Sequence, residues 1–109
     1  MLKVKVSLKD DSIISLEAEG HTGLSARGND VACAGASAVI LGAVLGCTRH
    51  LNITPGIEQD DGYLYLCMPD NLSESDNRCA QAILATAILT LEEIGIQHPG
   101  HISIVKENL

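Results

Sequence analysis

Apolar and polar residues alternate over the first part of the chain, which predicts two strands. Between Leu2 and Leu8 every second residue is aliphatic, and the residues between them are lysine or serine. The alternation returns from Ile14 to Ala18, after a predicted tight turn at residues 10–12. A period of two places every second side chain on one buried face of a strand. The sequence therefore predicts an opening β-hairpin.

An almost wholly apolar run from Val31 to Leu45 predicts a helix that continues to about His50. Asp30 precedes the run and is a good N-cap. Because the helix is apolar on nearly all faces, we expect it to be covered on two sides, by the sheet and by a second copy of the chain. A membrane span needs about 20 apolar residues. This run is shorter, is interrupted by Ser37 and glycines, and lies between strand patterns, so we favour a core helix.

A second hairpin is predicted after the helix-breaking residues 52–56, which include a Pro-Gly pair. A short extended segment at residues 57–59 leads through an Asp-Asp-Gly turn at residues 60–62 to a clear strand at residues 63–68. The acidic side chains of this turn are interpreted as solvated.

A capping box predicts the start of a second helix. Ser73 is followed three residues later by Asp76, and Gly95 is expected to end the helix. After a turn at residues 98–100, alternation at residues 102–105 predicts a last strand. The apolar stripe of the helix consists of Ala80, Ile83, Leu84, Ala87, Ile88 and Leu91.

These elements follow the order β-β-α-β-β-α-β. The order predicts an α+β fold, a two-layer α/β sandwich in which two helices pack on one face of a mixed β-sheet. The length of 109 residues is near the commonest domain size. We therefore expect residues 1–109 to form a single domain.

Composition and charge limit the classes of partner. Hydrophobic residues make up 46% of the chain, which argues against disorder, and Trp and Phe are absent while Tyr occurs twice. Aromatic platforms for nucleic-acid bases are therefore largely missing. The net charge of −7 disfavours direct nucleic-acid binding and suits a basic protein or peptide. The first residues alternate and do not resemble a signal peptide, so we expect a cytoplasmic protein with no membrane partner.

The four cysteines are widely spaced and contain no Cys-x-x-Cys motif. In a reducing cytoplasm they should be free thiols. Cys67 and Cys79 are interpreted as core residues. Cys47 and His50 share a helix face and form half of a metal site, but no second pair completes it, so we predict no metal and no cofactor.

The glycine-rich segment before the first helix joins a histidine to a cysteine. If Asp30 is the N-cap, Cys33 is the third helical residue, and the first turn of a helix favours a thiolate. The imidazole of His21 could accept the thiol proton and later donate a proton to a leaving amine. Backbone N–H groups from Val31 to Cys33, including that of Ala32, could hold an oxyanion.

Several interpretations of this segment stay open. Cys33 could simply pack among alanines, with His21 at a strand end. Asp30 either orients His21 or serves only as the N-cap, and the cap is favoured. Ser37 lies one helical turn after Cys33, where it either lines the site or bonds the helix backbone.

The loop glycines matter for conformation and for motion. Gly20, Gly23 and Gly28 permit backbone angles that other residues avoid. We therefore interpret this segment as a mobile loop that gates the candidate site.

The chain resembles the Prp or YsxB-like family of bacterial ribosomal-processing cysteine proteases. The family signature is Gly-His, followed by Gly-x-Asp, two hydrophobic residues, Cys-Ala-x-x-Ser. The opening hairpin, the second helix and the last helix-turn-strand, with Pro99 before Ile102, are also similar. The matching residues here are Gly20-His21 and Gly28-Asn29-Asp30-Val31-Ala32-Cys33-Ala34-Gly35-Ala36-Ser37.

The resemblance implies a small homodimeric cysteine endopeptidase with a dyad of His21 and Cys33. Asp30 and Ser37 fall on the other motif positions. The implied substrate is the N-terminal extension of large-subunit ribosomal protein number twenty-seven, which is removed before or during ribosome assembly. The resemblance also implies that the mobile loop closes over the peptide. Ala32 is smaller than the residue that family members often carry there, which concerns peptide recognition and leaves the dyad intact.

The leading hypothesis is therefore a cysteine endopeptidase in which Cys33 is the nucleophile and His21 the general base and acid. The alternative is a non-catalytic ribosome-assembly or peptide-binding module with the same scaffold. A third hypothesis is redox sensing at the Cys33 thiol.

Overall fold

A computed structural model describes residues 1–21, 23 and 30–109. The predicted order β-β-α-β-β-α-β is confirmed. A π-helical turn, Gly46–His50, continues the first helix to the predicted end. The elements are β1 (Leu2–Lys9), β2 (Ser12–Glu19), α1 (Val31–Leu45), β3 (Gly56–Asp60), β4 (Tyr63–Cys67), α2 (Glu74–Gln97) and β5 (Ile102–Asn108).

The five strands form one mixed sheet in the order β3-β4-β2-β1-β5. β1 runs parallel to β5, and the other three neighbouring pairs are antiparallel. The opening hairpin therefore occupies the middle of the sheet, and β3 and β5 are its edges. The second hairpin joins the first through the pairing of β4 with β2.

The first hairpin contains a bulge that corrects one prediction. Asp10 and Asp11 have φ values of 51° and 65°, the two left-handed residues of a tight hairpin turn. Ser7 pairs with Ser15 and Leu8 pairs with Ile13, so Ile14 is an extra residue in the ladder. Because an extra residue reverses the inward face of the strand, Ile13 is buried where the alternation predicted Ile14.

Both helices lie on one face of the sheet, as predicted, and the core fills the space between the layers. α1 packs against α2, and α2 also contacts β2 and β5. The opposite face of the sheet is polar, with a Lys5–Glu107 ion pair at 2.9 Å and a Tyr63 hydroxyl that donates to Glu17. The largest of the fully buried side chains are those of Val4, Val6, Cys47, Leu66, Leu84 and Leu91.

The ends of α2 show one confirmed and one wrong prediction. The Ser73 hydroxyl accepts a hydrogen bond from the N–H of Asp76 at 3.1 Å, which confirms the predicted cap. Gly95 does not end the helix, which continues to Gln97. A Cβ atom added at Gly95 would lie 3.6 Å from the Cβ of Ile102, an ordinary van der Waals contact with β5.

By length and composition alone, the segments Val31–His50 and Glu74–Gln97 could each cross a membrane. The core helices of globular proteins can meet the same criterion. Here α1 contributes Ala36 and Ala43, and α2 contributes Leu84, to the core beneath the sheet. Each segment therefore has one face in the core of this fold.

Candidate active site

The N-terminus of α1 is capped by Asp30, as predicted. Asp30 has an extended backbone, and its carboxylate Oδ1 accepts the N–H of Cys33 at 2.8 Å. Its backbone carbonyl accepts the N–H of Ala34 at 3.0 Å. The Asp30 side chain is buried. Cys33 is consequently the third residue of the helix, in the first turn.

The structure brings His21 and Cys33 together although they are twelve residues apart in the chain. The Sγ atom of Cys33 lies 3.8 Å from Nδ1 of His21, a long contact within the range of a sulfur hydrogen bond. Cys33 is half-buried and His21 is exposed. For Nδ1 to accept the thiol proton, the neutral ring must carry its own proton on Nε2. A thiol and a base in this arrangement form the pair that nucleophilic catalysis requires.

The backbone before His21 is held by the turn between β3 and β4. The N–H of Gly20 donates to the carbonyl oxygen of Gly62 at 2.8 Å. Gly20 has φ +95°, and a Cβ atom there would lie 2.6 Å from the carbonyl oxygen of Met1, so only glycine fits. Gly23 also has a left-handed φ of +70°. The third predicted loop glycine, Gly28, lies outside the described residues.

A cleft of about 480 Å³ opens beside the pair. Ser37 lines it on the same side of α1 as Cys33, which favours the site-lining interpretation of this serine over bonding within the helix. Aliphatic side chains form much of the remaining wall. They include Ile40, Leu41 and Val44 from α1 and Leu64 from β4. The cleft can therefore receive an extended chain with apolar side chains.

Acidic residues that the sequence analysis assigned to a solvated turn also line this cleft. Asp60 and Asp61 are exposed and lie at the end of the β3–β4 hairpin, next to His21 in the cleft wall. Their position follows from the pairing of Glu19 with Tyr63, which brings the turn beside the end of β2. Such long-range pairing has no local signal in the sequence.

The cap changes one part of the predicted oxyanion site. The N–H of Cys33 is bonded to Asp30 and so already has an acceptor. The N–H groups of Val31 and Ala32 remain the candidates in the first turn, where helical N–H groups have no carbonyl partner within the helix. The predicted set of three donors is therefore reduced to two.

The other cysteines have different surroundings. Cys47 is fully buried, and burial raises the pKa of its thiol above the ordinary value of 9.0. Cys67 is half-buried, with its thiol 3.7 Å from the carbonyl oxygen of Met68. Cys79 is exposed, which contradicts its predicted core position. It precedes the buried stripe residue Ala80, and one residue turns a helix by about 100°.

The two residues of the candidate metal pair, Cys47 and His50, differ in burial. Cys47 lies in the core, whereas His50 is exposed. Within residues 1–21, 23 and 30–109, no group of three or more His, Cys, Asp or Glu side chains is arranged to hold a metal ion.

Comparison with known proteins gives a consistent result. The sequence model of the family described as "Cysteine protease Prp" matches residues 1–103. The chain is 34% identical over 87 residues to the ribosomal processing cysteine protease Prp of Bacillus subtilis strain 168, which covers 78% of each chain.

Two crystal structures have the same fold. Both are of the essential ribosomal processing protease Prp from S. aureus, one with a covalently linked product peptide and one with a substrate peptide. The TM-scores are 0.88 and 0.82, each at 27% identity, covering 98% of this chain and 100% of the other. With the family match over residues 1–103, these similarities show that the chain is a cysteine protease and belongs to the ribosomal-processing Prp family.

Proposed function

We propose that Cys33 is the nucleophile of this protease and that His21 is its general base and then its general acid. The observation that carries the proposal is the 3.8 Å approach of Cys33 Sγ to His21 Nδ1 at the wall of a cleft. Both side chains are accessible, so a peptide in the cleft can reach them. The covalently linked product peptide of the S. aureus relative is consistent with covalent catalysis in the family.

The proposed reaction begins with transfer of the Cys33 thiol proton to Nδ1 of His21. The thiolate attacks the carbonyl carbon of the scissile peptide bond. The imidazolium then gives its proton to the leaving amine as the C–N bond breaks, which leaves a thioester on Cys33. A water molecule that loses a proton to His21 hydrolyses the thioester, releases the carboxylate product and regenerates the thiol.

The start of α1 supplies the supporting groups of this proposal. N–H groups of Val31 and Ala32 would stabilise the negative oxygen of the tetrahedral intermediate. Asp30 holds the backbone of Cys33 through the cap, and Ser37 positions the peptide in the cleft. The mobile loop predicted from the sequence falls mainly on residues 22 and 24–29, which lie outside the described residues.

The proposed substrate is the N-terminal extension of large-subunit ribosomal protein number twenty-seven. The relatives are named for ribosomal processing, which supports a ribosomal protein as the class of substrate. The net charge of −7 and the acidic Asp60 and Asp61 in the cleft suit the basic character of ribosomal proteins. The aliphatic wall suits apolar side chains near the scissile bond.

We also propose a homodimer that acts in the cytoplasm, where ribosomes are assembled. The outer face of the helices supports a second copy as partner. Leu89 and Ile96 of α2 are 64% and 70% exposed, and residues of both helices line an apolar surface groove of about 470 Å³. Sedimentation analysis of the purified chain tests this, and a monomer at micromolar concentration would contradict it.

Cleavage of the extended ribosomal protein tests the catalytic proposal. Wild type should release the extension, whereas Cys33→Ala and His21→Ala should lose at least about 1,000-fold in kcat, since nucleophile and base act as one unit. The product masses identify the cleaved bond. Cys79→Ala is the matched control, because this exposed thiol lies on α2 and outside the cleft. Its rate should equal that of wild type.

The outcomes separate the three hypotheses from the sequence. Binding of the extension without turnover would support a peptide-binding module. Reversible oxidation of Cys33 without a peptide product would support redox sensing. Retained cleavage by Cys33→Ala would assign the nucleophile to another residue. Family membership already identifies the chain as a cysteine protease, so these outcomes test the assignment of its residues.

A further inference from the structure

We propose that Gly62, in the turn between β3 and β4, is a positioning residue that fixes the imidazole of His21 for proton transfer from Cys33. The proposal rests on the catalytic roles of His21 and Cys33 proposed above. Gly62 itself has no chemical group that could react. Its contribution is the absence of a Cβ atom, because the imidazole lies against the space that this atom would fill.

The contact is made by the side of the ring that carries Nε2. A Cβ atom added at Gly62 would lie 3.2 Å from Nε2 of His21, 3.7 Å from Cε1 and 3.8 Å from Cδ2. The ring therefore occupies the space that any other residue would need for its side chain. Nδ1, on the other side of the ring, faces the Cys33 thiol at 3.8 Å. The imidazole is thus placed between the turn and the thiol.

The same turn also holds the backbone that leads into His21. The carbonyl oxygen of Gly62 accepts the N–H of Gly20 at 2.8 Å. One residue of the turn therefore contacts both the main chain before His21 and the ring itself. Two contacts of this kind leave the imidazole little freedom to move away from the thiol on this side.

The position of the turn is fixed by the sheet. Asp60 pairs with Tyr63 across the hairpin, and Tyr63 pairs with Glu19 at the end of β2. Gly62 lies between these paired residues and His21 lies two residues after Glu19. Strand register therefore determines the distance between Gly62 and the ring.

Two features of position 62 favour glycine, its backbone conformation and the lack of space for a Cβ atom, and a substitution can test them separately. Its φ of +68° is left-handed, and the space for a Cβ is taken by the ring. Asparagine tolerates the left-handed region but has a Cβ. Gly62→Asn therefore tests the ring contact with little backbone strain. A Cβ at 3.2 Å obliges the ring or the turn to move by a few tenths of an ångström.

Gly100 provides a matched control. It has φ +83°, and a Cβ atom added there would meet nothing within 4 Å. It lies between α2 and β5 and is not part of the cleft wall. Gly100→Asn therefore repeats the backbone change without touching a catalytic side chain.

The experiment compares wild type, Gly62→Asn, Gly100→Asn and His21→Ala with the extended ribosomal protein as substrate. We expect Gly62→Asn to lower kcat by roughly 3- to 30-fold with KM changed less than about twofold, because misplacement by 1 Å can cost about 100-fold. The alkylation rate of Cys33 by iodoacetamide near neutral pH should fall in the same variant. Gly100→Asn should retain wild-type values of both rates.

Thermal unfolding shows whether each variant is folded at the assay temperature. If Gly62→Asn is unfolded there, all variants are compared at a lower temperature at which Gly62→Asn is folded. Unchanged kcat and an unchanged alkylation rate in the folded Gly62 variant would overturn the proposal. An equal decrease of both rates in the Gly100 variant, or a change of the Gly62 variant in KM alone, would also overturn it. Full activity of His21→Ala would overturn the proposed function as well, so the two failures are distinguishable.

Discussion

Removal of the Asp30 side chain should affect both the stability of the fold and the reactivity of Cys33. In Asp30→Ala the N–H of Cys33 loses the carboxylate that accepts it at 2.8 Å. Asp30 is only 7% exposed, so water replaces this acceptor poorly. The substitution therefore acts on the first turn of α1, where the candidate nucleophile lies.

The expected loss of stability follows from the cap and its burial. Removal of an N-cap lowers the unfolding free energy by about 0.5–2 kcal/mol. Because Asp30 is buried, we expect the upper value, about 2 kcal/mol. A chain of this length has an unfolding entropy of about 0.2 kcal/mol/K, so Tm should fall by about 9 °C. Asp30→Asn keeps an oxygen acceptor and loses the favourable charge at the helix start. It should cost about 0.5 kcal/mol and about 2 °C.

Ser73→Ala is the matched control, because it removes the cap of α2 at an exposed position outside the cleft. It should cost about 0.5–1 kcal/mol and leave the alkylation rate of Cys33 unchanged. Differential scanning calorimetry gives Tm, and mass spectrometry after timed exposure to iodoacetamide gives the Cys33 rate. In Asp30→Ala that rate should fall at least about threefold, because the helix start is no longer fixed. An unchanged Cys33 rate in Asp30→Ala, at a temperature where the protein is folded, would refute the reasoning.

Three further predictions concern the core and the thiols. Leu91→Ala should lower the unfolding free energy by about 3–4 kcal/mol, because this side chain is fully buried. Denaturant titration measures this free energy. A loss below about 1 kcal/mol would show that the surrounding side chains collapse into the cavity. Burial raises the pKa of Cys47 above 9.0, so its contribution to stability is complete below that pH and is lost as pH rises further. Urea unfolding between about pH 8 and pH 10 should show this decline, and Cys47→Ala should reduce the slope. Near neutral pH Cys33 should be alkylated much faster than the other three thiols, and equal labelling of all four would contradict its activation.

The features that the sequence predicted well depend on neighbours within a few residues. The caps at Asp30 and Ser73 each join a side chain to an N–H three residues later, so a short segment contains the whole interaction. Alternation over β1 likewise needs no knowledge of other elements. These local signals were sufficient for the element order and for the position of Cys33 in a first helical turn.

The errors arose where tertiary contacts overrule a local pattern. The bulge at Ile14 depends on its pairing with β1, and alternation alone cannot show which residue is extra. Gly95 is a residue type typical of helix ends, but α2 continues past it to Gln97, where the helix packs beside β5. Cys79 directly precedes Ala80 of the buried face, and the rotation of about 100° between neighbouring helical residues turns it outward.

The candidate site was predicted only in part for the same reason. His21 and Cys33 flank one segment, and their residue types indicate the chemistry. Gly62 and the acidic residues Asp60 and Asp61 reach the cleft only because β4 pairs with β2. No sequence pattern near residue 62 predicts that the imidazole of His21, from the end of another strand, lies in the space that a side chain at position 62 would need.

The two members of the proposed dyad belong to different layers of the sandwich. His21 follows β2 of the sheet, whereas Cys33 is carried by α1, which packs against α2. The π-helical turn that continues α1 also lies close to α2, since a Cβ atom added at Gly46 would lie 3.1 Å from Ile83. The separation of 3.8 Å between the two side chains is therefore a measure of how the helical layer is docked on the sheet. The catalytic rate therefore depends on the packing of the core. Substitutions between the two helices, outside the cleft, can change turnover although His21 and Cys33 are both retained.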